Sequence, residues 1–111
     1  MNNCIFCKII KGEIPAKKMY EDEQMIVICD IQPKAKLHYL CIPKMHFALL
    51  SEMDEQKAEA LSYCFKKIPT LAPALGLEDG YRVIINQGEN GGQAVHHLHI
   101  HLLGGEKLKD F

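Results

Sequence analysis

His97, His99 and His101 stand two residues apart, with the apolar Leu98, Ile100 and Leu102 filling the alternate positions. Successive side chains of a β-strand point to opposite faces, so this alternation predicts a strand over Val95 to Leu103. One face would carry three imidazoles and the other would pack into a core. Imidazole changes charge near neutral pH, ligates metals, and acts as base or nucleophile. Three in phase, directly after the run Gln87-Gly88-Glu89-Asn90-Gly91-Gly92-Gln93, are hard to read as surface decoration.

Alternate side chains on one strand face lie about 7 Å apart, so the three rings cannot all ligate one metal without a bend. They can take successive places along an extended substrate. An imidazole attacking phosphorus splits a difficult displacement into two easier ones. A neighbouring imidazolium can protonate the leaving group. Glycine has no Cβ, so a glycine-rich turn brings backbone N–H groups close to an anion. Joined to the histidines, that turn points to phosphate.

A chain of 111 residues is expected to form one domain, residues 1–111, with a single sizeable core. Its net charge is −1 and its bases are interspersed with acids, so no basic patch marks it for nucleic acid. No apolar run approaches a membrane span and the N-terminus lacks the pattern of an export signal. The cytoplasm is the expected compartment, with no membrane partner. Of the five cysteines, Cys29, Cys41 and Cys64 lie in apolar contexts and read as small core residues. Cys4 and Cys7 form a C-x-x-C, which in a reducing compartment suggests metal binding or redox chemistry. Two half-buried thiols on one helical turn are the plainer alternative.

The fold class expected is α+β: an antiparallel sheet with one main helix and a short N-terminal helix. Cys4 to Lys11 predicts one or two helical turns ending before Gly12. Met25 to Cys29 and Leu37 to Ile42 predict two strands of a hairpin across Pro33. Ala58, Leu61, Cys64, Phe65 and Ile68 recur at helical spacing, with Ser51 or Asp54 as the cap. Pro69 predicts a kink or break near Ile68, with the helical region ended by Gly76 and Gly80. Tyr81 to Asn86 predicts a further strand, and the histidine strand follows.

The segment His97-Leu98-His99-Ile100-His101-Leu102-Leu103 resembles the histidine triad (HIT) signature, and Gly91-Gly92-Gln93-Ala94-Val95 with Gly104-Gly105 resembles the Hint branch, the purine nucleoside phosphoramidases. The resemblance continues through Ile5-Phe6-Cys7-Lys8-Ile9-Ile10, Asp30-Ile31-Gln32-Pro33 and His38 to His46. It implies a HIT fold and a hydrolase of nucleoside 5′-phosphoramidates and related nucleoside monophosphate derivatives, working through a nucleotidyl-histidine. His99 matches the nucleophile, His101 the residue at the phosphate and leaving group, and His97 a supporting histidine. Asp30 falls where an acid binds the ribose hydroxyls. Ile5, Phe6, Ile9, Ile28 and Ile31 fall on the apolar wall around the base. Asn86 falls on a nucleotide contact, and Gln93, Ala94 and Val95 on the α-phosphate, where Ala94 replaces the serine of other members.

The same resemblance implies one structural zinc per chain, held by Cys4, Cys7, His46 and His97, a purine nucleotide (AMP or GMP derivative) as substrate, and a homodimer. His38 reads as a satisfied core histidine rather than a partner behind the site, and His96, out of phase, as structural or solvent-facing. Three other readings stay open: a dinucleoside polyphosphate hydrolase of the same family, a nucleotide-binding scaffold with weak catalysis, and a metal-dependent hydrolase using the triad as ligands.

Overall fold

The computed structural model describes residues 3–111. Its centre is the pair β2 (Met25–Cys29) and β3 (Leu37–Pro43), antiparallel in the register Met25 opposite Pro43 through Cys29 opposite Tyr39. Both strands are buried almost throughout, because helices cover both of their faces. On one face Met25, Val27, Tyr39 and Cys41 meet Leu61, Cys64 and Ile68 of α2 (Glu55–Leu71). On the other, Ile26, Ile28, Leu40 and Ile42 meet Phe6 and Ile9 of α1 (Ile5–Ile10).

β5 (Ile100–Gly104) pairs antiparallel with β3, and β4 (Tyr81–Ile84) pairs with β5. With β1 (Lys18–Glu21) on the far edge, the sheet runs β1-β2-β3-β5-β4. This is the antiparallel sheet with one main and one short helix that the sequence predicts. β1 escapes the sequence because Lys18-Met19-Tyr20-Glu21 is short, mostly exposed and bulged between Lys18 and Tyr20. Edge strands commonly look like this, since charge and bulges deter further pairing.

α1 begins at Cys4, whose Sγ accepts from the Cys7 N–H at 3.3 Å, and stops before Gly12 at φ 81°. α2 is capped by Asp54, which accepts from the Lys57 N–H at 2.9 Å. The expected break at Pro69 does not occur: the helix continues to Leu71, and the Ala72 N–H still bonds Ile68 O at 3.1 Å. Proline at this point removes only the bond to Phe65 O, and Phe65 lies half-exposed, where solvent can take the freed carbonyl.

A second difference shapes the site. β5 starts at Ile100, not Val95. β3 ends at Pro43, which has no N–H to continue a ladder. The chain before Ile100 therefore leaves the sheet, and the Leu98 N–H bonds Phe47 O at 2.7 Å instead. The three imidazoles do not share one flat face. The β4 strand likewise ends at Ile84, two residues short of the expected Asn86.

Candidate functional site: two histidine clusters joined at one residue

The side chains of Asp30, His38 and His101 share the α1 side of the sheet with Ile28 and Leu40, as the strand alternation requires. Three hydrogen bonds fix where each ring carries its proton. His99 Nδ1 lies 2.8 Å from His97 O. A carbonyl only accepts, so Nδ1 holds the hydrogen and Nε2 keeps a free lone pair. The Lys34 N–H donates to His38 Nδ1 at 3.0 Å, so His38 carries its hydrogen on Nε2. That Nε2 is 2.9 Å from His101 Nδ1 and 3.3 Å from Asp30 Oδ2. His101 Nδ1 thus accepts, and the His101 hydrogen sits on Nε2.

His101 Nε2 is buried and has no partner among the described residues. A buried N–H without an acceptor is costly. Its ring centroid is 5.0 Å from that of His99, so a lone pair and an unpaired donor stand side by side. Burial holds all three of these imidazoles below the usual histidine range, His101 down to about 4. At neutral pH they are uncharged, as the proton positions require. Such a pair can attack an electrophilic centre and give a hydrogen bond to the atom departing from it.

His97 reaches the other way. Its Nε2 donates to Pro43 O at 2.8 Å, which leaves Nδ1 bare. That Nδ1 lies 3.1 Å from His46 Nδ1, 3.3 Å from Cys4 Sγ and 3.6 Å from Cys7 Sγ, while Cys7 Sγ and His46 Nδ1 are 3.2 Å apart. All four donors fall within 4.8 Å of one another. Tetrahedral zinc with Zn–N of about 2.0–2.1 Å and Zn–S of about 2.3 Å spaces its ligand atoms by roughly 3.3–3.8 Å. The cluster fits. Burial, then the Cys4 thiol beside it, pushes the Cys7 thiol up, and a bound cation reverses that by favouring the thiolate. Burial pushes His97 down to about 4, so its lone pair stays available.

Asp30, His38 and His101 also lie close enough together to suggest a metal. The Lys34 N–H opposes it: with His38 Nδ1 engaged, Nε2 keeps its proton and offers no lone pair. This second cluster holds a proton rather than a cation.

The remaining predicted residues divide. Phe6, Ile9 and Ile28 form one buried group with Val95 packed on it, and the Phe6 ring stands edge-on to His99 at 5.0 Å. Ile5 is half-exposed and Ile31 is 94% exposed, so these two stand apart from that group. Asn86 is half-buried just beyond β4. Gln93 is occupied elsewhere: its Nε2 donates to Ala48 O at 2.6 Å and Val95 O at 3.2 Å, and its Oε1 accepts from the Gly88 N–H at 2.9 Å. The expected side-chain donor to phosphate is therefore a strut across the glycine turn. The neighbouring N–H groups of Ala94 and Val95 bond no group among the described residues. His96 is exposed, as its phase predicts.

His38 is the residue the sequence reading undervalues. It is buried, but its partners are His101 and Asp30 rather than the core. The signal lay in phase: His38, Leu40 and Ile42 alternate on β3, and Leu40 pairs with His101. A histidine there has to face the triad.

An antiparallel sheet carrying a buried imidazole with a free lone pair, an unpaired imidazole N–H beside it and a Cys₂His₂ cluster defines a histidine-based site with a metal-binding capacity. The HIT domain family profile matches residues 11–108, and the chain belongs to that family. It is 49% identical over 104 residues to the protein HitA of Neisseria gonorrhoeae, covering 94% of this chain and 97% of that one. A 14 kDa zinc-binding protein of Zea mays is 47% identical over 106 residues, 94% of this chain and 83% of the other. Among solved structures, a HIT family hydrolase from Clostridium thermocellum superimposes with a TM-score of 0.94 at 47% identity, covering 100% of this chain and 97% of that one.

Proposed function

We propose that the protein is a nucleotide-binding hydrolase acting on nucleoside 5′-phosphoramidates and related nucleoside monophosphate derivatives, with His99 as the nucleophile. The observation that carries this reading is the fixed proton pattern: His99 Nδ1 bonded to His97 O, and His101 Nε2 buried without an acceptor. In the proposed reaction the His99 Nε2 lone pair forms a bond to the α-phosphorus as the P–N bond breaks, its electron pair leaving on nitrogen. The His99 ring becomes positive, and its Nδ1–H bond to the His97 carbonyl stabilises that charge. Water then attacks phosphorus as the P–Nε2 bond breaks, its electron pair returning to His99; the nucleoside monophosphate is released and the water's proton goes to solvent.

The choice of phosphoramidates follows from the same protons. His101, held to about 4, has no spare proton at neutral pH and gives a hydrogen bond only. A phosphoramidate whose nitrogen is already protonated leaves as a neutral amine, whereas an alkoxide would have to find a proton. The hydrolase named among the related structures supports the reaction class.

Around that centre we assign Asp30 to the ribose hydroxyls, and Ile5, Phe6, Ile9, Ile28 and Ile31 to the purine base. Asn86, the N–H groups of Ala94 and Val95, and the turn braced by Gln93 are assigned to the phosphate. Cys4, Cys7, His46 and His97 hold one zinc, which when bound serves as a structural cross-link; the zinc-binding relative supports that choice of metal. Residues 1–111 act as one HIT domain. The outer edge of β4, with Val83 half-exposed on it, suits a homodimer that extends the sheet. No helix among the described residues is long and apolar enough to cross a membrane. Five free thiols suit a reducing compartment, and we place the protein in the cytoplasm.

The test is direct. The wild type is mixed with adenosine 5′-phosphoramidate, quenched without acid and analysed by mass spectrometry, with His99→Ala in parallel. One adenylyl adduct on His99 and loss of turnover in a variant that still binds adenosine monophosphate are expected. Full turnover by His99→Ala would discard the nucleophile and return the triad to binding.

A further inference from the structure

Asp30 and His101 both stand beside the single N–H of His38. His38 has one N–H at Nε2, because the Lys34 N–H occupies Nδ1. His101 Nδ1 takes it in a hydrogen bond at 2.9 Å, and the Asp30 carboxylate, with Oδ2 at 3.3 Å, pulls on the same N–H by its charge. Asp30 Oδ1 is fixed by the Gln32 N–H at 2.8 Å, and its side chain keeps 18% of its surface open. An incoming hydroxyl can therefore reach the carboxylate while His38 and the Nε2 of His101 stay buried.

We infer that the ribose hydroxyls of the bound nucleotide tune the leaving-group donor of His101 through Asp30 and His38. The inference rests on the proposed reaction and on Asp30 as the ribose acceptor. A hydroxyl donating to Asp30 Oδ2 draws charge from that oxygen and makes it a poorer acceptor. The His38 hydrogen then goes wholly to His101 Nδ1. A hydrogen bond into Nδ1 withdraws electron density from the ring, which makes the Nε2–H on its far side a better donor. It also holds the tautomer, since the alternative would place the His101 hydrogen on Nδ1, away from His99. His38 is thus a positioning residue. Ribose recognition acts on kcat as well as on KM, in the sense that binding strengthens an interaction made in the transition state.

The chemistry of the shared hydrogen supplies the discriminating variant. Imidazole Nε2 has one hydrogen, whereas the amide of His38→Gln has two and can satisfy Asp30 and His101 together. That variant should lose the dependence of kcat on ribose, whatever its absolute kcat. For wild type, the 2′,3′-dideoxy substrate should show kcat reduced about tenfold, the scale of one hydrogen bond. For His38→Gln the two substrates should share one kcat and differ only in KM.

A second measurement needs no turnover. In protein labelled with ¹⁵N at histidine, adenosine monophosphate should sharpen His101 into the Nε2–H form, and the dideoxy monophosphate should not. Equal kcat for both substrates in wild type, or an undiminished ribose dependence in His38→Gln, would overturn the coupling. An unchanged His101 tautomer on binding the ribonucleotide would overturn it too. Those results leave the nucleophile standing, provided that monophosphate binds and phosphoramidate is cleaved. Absence of binding and cleavage removes both readings together.

Discussion

Replacing Cys7 by serine takes one donor from the Cys₂His₂ cluster and one anchor from α1. The helix has six residues, too short to persist by itself. Phe6 and Ile9 bury it against the sheet, at 5% and 6% exposure. Two such side chains contribute about 3–6 kcal/mol. Fixing six backbones costs about 6–12 kcal/mol, which the bonds within α1 and its docking only partly offset. Without a metal, α1 therefore sits near balance, and the energy of a structural zinc is energy of folding. Cys7→Ser should lower stability by about 3 kcal/mol or more, a fall in Tm of about 10 °C or more for a domain this size. Thermal denaturation of wild type, Cys7→Ser and chelator-treated wild type, each with zinc content measured, checks this. Whatever stays folded should retain turnover, since neither sulfur is placed at the reacting atoms. Metal-free protein of full stability, or folded protein whose activity strictly follows added metal, refutes the reasoning.

Other consequences are equally concrete. Burial, then His99 and His38 beside it, puts His101 near 4 in the folded chain, below its ordinary 6.5. Between those two values the unfolded chain takes up a proton that the folded site refuses, so stability should decline as pH falls from 6.5 to 4, by at most about 3 kcal/mol from this group. Urea titrations of wild type and His101→Ala should show a shallower decline in the variant. Partial burial of Asp22 is outweighed by bonds from Tyr63, the Gln24 N–H, Tyr20 and the Met25 N–H, which hold it at about 2 rather than 3.8. Its lowered value gives stability above pH 3.8 that is lost as pH falls toward 2. Asp22→Asn should cost about 1 kcal/mol at pH 7 after allowance for solvent, with the difference closing in acid. A Cβ on Gly91 would meet Gln87 N at 2.9 Å. Gly91→Ala should displace the glycine turn assigned above to the phosphate and raise KM more than it lowers Tm, as steady-state kinetics beside thermal melts would report.

Much of this was legible because period and chemistry coincide in the sequence. Met25 to Cys29 and Leu37 to Ile42 are apolar runs with turn residues between them, and they form the central hairpin. The ligands of the Cys₂His₂ cluster were legible only through family resemblance, since Cys4 and Cys7 meet His97 and His46 by contacts 39 to 93 residues apart in sequence. Local pattern misled where tertiary context decides. Pro69 breaks a helix in its interior but is tolerated in the last turn. Gln93, set at the phosphate by resemblance alone, has its amide held by Ala48 O and Val95 O. The phase of the histidines promised a flat row of imidazoles, because nothing local reveals that their partner is the strand ended by Pro43.

That strand end explains why two clusters meet in one residue. Had β3 continued past Pro43, His97 would have stayed in the ladder with its side chain beside His99 and His101. Released from the ladder, the chain turns the His97 ring into the Cys₂His₂ cluster and its carbonyl toward His99 Nδ1. One residue then fixes both a lone pair of the Cys₂His₂ cluster and the tautomer of His99, with Pro43 O setting the first and the His97 backbone the second. The two roles use different atoms, so they separate under mutation. His97→Gln removes the metal lone pair and leaves the carbonyl. The expected result is a less stable protein whose folded fraction still forms the His99 adduct, measured by zinc content, Tm and adduct mass on one sample. An adduct lost in folded His97→Gln would mean that the ring, not the carbonyl, positions the nucleophile.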